Sequence, residues 1–265
     1  MPVVDSAKAL LRQRFGIWPL LELRNAVVMG HKVPALKAFE DREVARLAAQ
    51  LGKVPTASVA VVVPTYKRPK MLIDALNSIL AQDYQDYVII VVDDGAGLPA
   101  ELPQDPRLHA VSLSRNSAVL GLVRNVGIRL TDSKFIAFLD DDNTWTKDHL
   151  TITIGELEAG ADIVYTAVRR WMADGSERDI LSHPFDWKTF VEITNYVDSN
   201  SIVLRRTPRA IFSRLPRVKA THPKEDWEFV YRQAKGRRIK HIDTPTVEYL
   251  VNADSFYTTW AGVEA

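Results

Sequence analysis

The chain contains no cysteine in 265 residues. That absence excludes a disulfide framework, a thiolate zinc site and a cysteine nucleophile, and it fits a reducing compartment. Charge of one sign is also lacking. Lys and Arg number 34 against 33 Asp and Glu, a balance that argues neither for nor against a polyanionic partner, and no nucleic-acid partner is expected. No apolar stretch approaches the roughly 20 residues that span a bilayer. The amino terminus lacks the basic-then-apolar pattern of a signal peptide, so a soluble, cytoplasmic protein is expected. There is no glycine fingerprint for a dinucleotide and no GK[ST] phosphate loop. Phosphate charge would therefore have to be met by a metal and by basic side chains.

What is present is the composition of an ordinary globular protein, 46% hydrophobic and 25% charged. The length suits one large α/β domain or two small ones. The most informative stretch is FIAFLDDDNTW, from Phe135 to Trp145. A short apolar run of this kind reads as a strand buried on both faces, as in a parallel sheet. The run passes directly into Asp140, Asp141, Asp142 and Asn143. Carboxylates in that position stand where open α/β sheets bind ligands, beyond the carboxyl ends of the strands. Packed carboxylates repel one another, and Mg²⁺ or Mn²⁺ held by one or two of them, with phosphate oxygens completing the shell, offsets the repulsion. The alternative is an acidic turn solvated at the surface.

The rest of the chain repeats the pattern of strand followed by polar cluster. Residues 1 to about 55 read as helical, with Val44, Leu47, Ala48 and Leu51 on one face and Gly52 and Pro55 as terminators. The more apolar segment from Leu10 to Val28 could cover the sheet, form a homodimer contact or rest on a membrane surface. Val59 to Val63 is a β-branched strand ending at Pro64-Thr65-Tyr66-Lys67-Arg68-Pro69. A helix is expected over Met71 to Ala81, and a buried strand over Tyr87 to Val92, closed by Asp93-Asp94-Gly95. A short strand near Leu108 to Leu113 and a helix from about Leu120 to Leu130, carrying Arg124, Asn125 and Gly127, lead to the FIAFLDDD strand. This β-α-β-β-α-β order implies a mostly parallel, doubly wound half-domain. Beyond Trp145 a helix near His149 to Glu158 and a strand over Ala161 to Val168 are expected, then a less regular region. Between Arg205 and Lys240 twelve Lys or Arg face three acidic residues, a net of +9. These are either a solvated helical face or a basic wall beside an anionic diphosphate or acceptor.

VVVPTYKRP at 61–69, IIVVDDG at 89–95, LVRNVGI at 122–128 and FLDDDN at 138–143, with Glu225-Asp226 ahead of Trp227, resemble in order and spacing the motifs of the family-2 glycosyltransferases. The resemblance covers about residues 58 to 250 and implies the GT-A fold, a Rossmann-like α/β architecture with a mostly parallel central sheet. The helical extension over 1–57 lies outside the family's common core, and the resemblance implies a nucleotide-sugar-binding half over 58–145 and an acceptor-binding, catalytic half of the same domain over 146–265. It further implies an inverting transfer of sugar from a nucleoside diphosphate donor, most simply a UDP-sugar. The acceptor would be a hydroxyl or amine of a glycan, a small metabolite or a carrier-bound intermediate. Carried over by residue, Pro64, Thr65 and Tyr66 would line the base pocket and Asp93 would accept from the base imide. Arg68 and Arg124 would stand near the diphosphate or orient the acids. Asp140 and Asp142 would be the ends of the DxD signature, Asp142 the more direct ligand of Mn²⁺ or Mg²⁺, and Asp141 a sugar or ribose contact. Asp226 would be the general base, with Glu225 beside it. Many members carry a histidine that completes the metal shell; here Asn252 falls at that place, and His241 or His222 could substitute. The DDDNT run also resembles the nucleophile loop of haloacid-dehalogenase-like phosphatases, and a non-catalytic sugar-nucleotide-binding subunit is the remaining alternative.

Overall fold

The computed structural model describes residues 10–11, 13–192, 196–217 and 225–251. Its centre is β1 (Val59–Thr65), a β-branched run with all seven residues buried. It is flanked in parallel by β2 (Tyr87–Asp93) and β4 (Phe135–Phe138), and β2 carries β3 (Leu108–Ser112), also in parallel. Beyond β4 the sheet becomes mixed. It continues through β8 (Ile202–Arg205), β6 (Ile163–Met172), β9 (Ile239–Val251) and β5 (Asn143–Trp145), while β7 (Glu177–Leu181) pairs with β6 off this path. β8 lies antiparallel to β4 and β6, whereas β6 and β9 run parallel through most of their length.

Alternation along β1 explains why both faces are covered, since successive side chains point to opposite sides. Val59, Val61 and Val63 pack with Leu72, Leu76 and Ile79 of α3 (Pro69–Leu80) and with Leu150 and Ile154 of α5 (His149–Glu158). On the other face Ala60 joins Phe39 and Leu47 of α2 (Val33–Leu51) and Leu122 and Val126 of α4 (Leu120–Arg129). Helix α3 begins two residues before the sequence suggests, because Pro69 sits in its first turn, where a missing N–H costs nothing. Gly127 lets α4 lie directly on the sheet: a Cβ there would fall 2.5 Å from Val62 Cγ1.

Of the amino-terminal extension, α2 therefore covers the sheet. Helix α1 (Ile17–Met29) instead leans on α6 (Trp187–Glu192): a Cβ on Gly16 would meet Val191 at 2.8 Å. The last helix, α7 (Glu225–Ala234), starts at the two acids before Trp227, as suits the positive end of a helix dipole. Among the described residues no helix is long and apolar enough to cross a membrane.

Candidate active site

A cavity of about 640 Å³ opens at the carboxyl ends of β1 and β4. Its wall includes Pro64, Thr65, Tyr66, Arg68, Arg124, Asp140, Asp141, Asp142, Glu225 and Asp226, so all but two of the expected site residues meet in one place.

The first wall is built by the turn after β1. Lys67 has φ 58°, a left-handed conformation that non-glycine residues rarely adopt. Beyond it the Arg68 guanidinium donates to Asp142 Oδ2 at 2.6 Å and to Asp141 Oδ1 at 3.2 Å. Thr65 Oγ1 donates to Asp141 Oδ2 at 2.7 Å. Asp141 is thus buried in the cavity wall and held from β1. Burial, reinforced by the charge of Asp140, pushes the Asp142 carboxyl up to about 6 in spite of Arg68. A site this rich in negative charge fits a divalent cation. No group of three or more His, Cys, Asp or Glu side chains among the described residues is arranged as a metal cage. Two carboxylates with phosphate oxygens completing the shell is the arrangement that Mg²⁺ and its relatives use with phosphate substrates.

The second wall is organised by Arg124, whose side chain is 1% exposed. Its Nη2 donates to Asp140 Oδ1 at 2.6 Å and to Ser199 Oγ at 3.0 Å; its Nη1 donates to Glu225 Oε1 and Asp226 Oδ1, both at 3.0 Å. One guanidinium therefore joins the acidic run after β4 to the acidic start of α7. Burial opposes its charge, but Asp140, Asp226 and Glu225 hold it on and raise its pKa well above the usual arginine value. Burial pushes Glu225 up to about 7 and raises Asp226 as well, against the pull of Arg124. Space for this junction comes from Gly121, where a Cβ would lie 2.6 Å from Ser213 O and 3.3 Å from Glu225 Cδ. Asn125, next to Arg124, clamps the incoming chain: its Nδ2 donates to Phe212 O at 3.0 Å and its Oδ1 accepts from Phe212 N at 2.6 Å.

Of the remaining two, Asp93 is not part of the cavity wall. Asp93 is 1% exposed and turned into the loop after β2, accepting from Gly97 N at 2.7 Å and Ser112 Oγ at 2.5 Å. The cavity wall holds Asp94 instead, because neighbouring residues at a strand end point to opposite sides. Asn252 lies outside the described residues, as does His222. His241 is placed elsewhere, with Nε2 3.0 Å from Ser182 Oγ and its ring beside Tyr165. Conversely, Asp198, Asn200, Arg217 and Tyr249 belong to the site and were not anticipated. Asp198 and Tyr249 line the cavity, and Asn200 Nδ2 bridges Asp198 Oδ1 at 2.7 Å and Asp140 Oδ2 at 3.2 Å. Asn200 Oδ1 also accepts from Asp140 N at 2.6 Å. Burial and the charge of Asp226 push Asp198 up to about 7. The one available signal was the polar run Ser199-Asn200-Ser201 ahead of β8.

Residues 60–216, more than half of the chain, match the sequence profile of glycosyl transferase family 2. The chain belongs to glycosyl transferase family 2. Among curated relatives, the succinoglycan biosynthesis protein ExoW of Rhizobium meliloti is 38% identical over 102 residues, which are 36% of this chain and 32% of that protein. The chain thus spans about a third of that relative's length. Among solved structures, S. aureus TarS 1-349 in complex with UDP-GlcNAc superposes with TM-score 0.59 at 18% identity, covering 78% of this chain and 62% of that one. The mannosyltransferase PcManGT of Pyrobaculum calidifontis, in complex with GDP-Man and Mn²⁺, gives TM-score 0.53 at 18% identity over 89% of this chain and 70% of that one. Both show the same mixed α/β fold. The phosphatase alternative falls with this assignment.

Proposed function

We propose that the chain is an inverting glycosyltransferase that moves a sugar from a UDP-sugar to a hydroxyl or amine of a glycan, small metabolite or carrier-bound intermediate. The observation that carries this reading is the Arg124 bridge, which sets Asp140 and Asp226 on one buried cation at the edge of a cavity large enough for a nucleotide sugar. Residues 58–145 hold the donor and 146–265 supply the acceptor side, with the extension over 1–57 outside that division. Tyr66 packs against the base beside Pro64 and Thr65, and Asp94 takes the base-reading role first expected of Asp93. Asp140 and Asp142 would hold Mn²⁺ or Mg²⁺, and a metal bound there would supply Lewis-acid stabilisation of the diphosphate charge. The UDP-GlcNAc and Mn²⁺ in the two structural neighbours support donor class and metal.

The chain's own part in the reaction follows from charge. Asp226 accepts the proton of the acceptor hydroxyl as that oxygen attacks the anomeric carbon, and burial, which raises its pKa, makes it a stronger base than an ordinary aspartate. Glu225 and Arg124 orient it. A single base with direct displacement inverts the anomeric configuration. Arg68 shields Asp141 and Asp142 from each other until the donor arrives. A cytoplasmic setting accords with the lack of cysteine.

Calorimetry with UDP, GDP and dTDP, each with and without Mn²⁺, tests the donor assignment. Metal-dependent UDP binding that is lost in Asp142→Ala is the expected result. Absence of binding by every nucleotide in both conditions overturns it.

A further inference from the structure

Helix α1 has two unlike sides. Inward, Glu22 accepts from both terminal nitrogens of Arg217, at 2.6 and 3.1 Å, and Arg217 lines the cavity. Outward, Leu23 is 63% exposed, Val27 78% and Val28 49%. Residues four apart on a helix are neighbours, so Leu23 with Val27 and Arg24 with Val28 form adjoining columns. Just upstream Leu10, Leu11 and Phe15 are exposed as well. Of the eleven exposed large hydrophobic side chains among the described residues, six lie between 10 and 28, so the exposure is concentrated and not the scatter of a normal surface.

The charges around this face have one sign. Arg14, Arg24 and Lys32 are exposed. The only acid between residues 10 and 32 is Glu22, and Arg217 neutralises it. We propose that α1 and the exposed helical residues before it (10–11 and 13–15) dock on an anionic lipid surface. Leucine, valine and phenylalanine side chains enter the acyl boundary, and the flanking arginines and lysine meet lipid phosphates. A second copy of the chain is a poorer occupant. In a two-fold contact the same patch meets itself, which brings one set of Arg14, Arg24 and Lys32 into the same interface as the other. Because Glu22 grips a cavity residue from the same helix, docking holds the cavity close to the lipid surface, where an acceptor carried on a lipid would be presented.

The test is flotation of the full chain with vesicles of phosphatidylglycerol and phosphatidylcholine, compared with phosphatidylcholine alone. The expected result is binding to the anionic vesicles only, weakened about tenfold or more by Leu23→Glu with Val27→Glu, and by raised salt. Met172→Glu, which adds the same charge at an exposed apolar residue elsewhere, leaves it unchanged. UDP affinity and melting temperature stay as in the parent for every variant, which separates loss of docking from loss of fold. Absence of vesicle binding, or binding indifferent to the Leu23 and Val27 changes, overturns the proposal. So does a solution dimer that those changes dissociate without any lipid binding, which assigns the face to a second copy. None of these readouts requires sugar transfer, so the inference stands or falls apart from the proposed reaction.

Discussion

Arg68 and Arg124 both donate to the acidic run after β4, yet Arg68 keeps 32% of its side chain in solvent while Arg124 keeps 1%. Arg68 reaches two adjacent carboxylates from a turn. Arg124 reaches three carboxylates and a hydroxyl drawn from well-separated parts of the chain. An exposed ion pair is screened and exchanges readily with water, so it contributes little to stability and is free to answer a ligand. A buried one is costly to break, because its partners are left charged and unsolvated. The same residue type therefore serves as a responsive contact at the rim and as a fixed frame in the interior.

The largest effect is expected from Arg124→Ala. It strands Asp140, Glu225 and Asp226, and by the usual cost of breaking a buried pair it lowers unfolding free energy by about 3–5 kcal/mol. Urea denaturation measures this, and a loss below about 1 kcal/mol removes the frame from the comparison. Next comes Asp226→Asn, which keeps shape and the Arg124 hydrogen bond. Transfer falls by about 10²–10⁴, the range for loss of a general base, while UDP affinity is retained. Unchanged turnover sinks the base assignment, and loss of nucleotide binding shifts Asp226 to a donor role.

A smaller effect is a pH dependence to which Glu225 contributes. Burial raises Glu225 from the model-peptide value of 4.5 to about 7. The folded state then binds the proton more tightly than the unfolded one, so stability is greatest below about 4.5 for this group and declines as pH rises toward 7. Denaturation of the metal-free protein across that window is expected to show a slope that Glu225→Gln flattens. A smaller change in stability than that of Arg124→Ala is expected from Arg68→Ala, because 32% of the Arg68 side chain stays in solvent. Nucleotide affinity changes more than stability in that variant. The reverse ranking, with Arg68 more important to folding than to binding, breaks the distinction between the two arginines.

The parts of this site that are readable in the sequence are those written in short, local patterns. β1, β2 and β4 announce themselves as β-branched or aromatic runs, and each is followed by the polar cluster it carries. The order of those clusters was enough for the family. Arg124 was legible as a basic residue in a motif, with its role left open between a phosphate contact and an organiser of the acids. Only the meeting of α4 with α7 selects the second geometry. Asp198, Asn200 and Tyr249 were silent because pairing places them: Tyr249 arrives beside Asn143 through the β5–β9 ladder, and no local spacing encodes that. Asp93 was misplaced by a single residue, which in an extended chain is the difference between facing the cavity and facing the next loop.

The Arg124 junction also has a consequence for synthesis of the chain. Its four partners lie 16, 75, 101 and 102 residues further along. Chains grow from the amino terminus, so α4 and the first four strands are made long before Glu225 and Asp226 exist. Until then the guanidinium must stay hydrated or lean on Asp140 alone. Loop closure of this length is slow compared with local helix formation. The parallel half of the sheet, β3-β2-β1-β4, can thus assemble early as an inert scaffold, and the cavity acquires its charge balance only once Glu225 and Asp226 arrive.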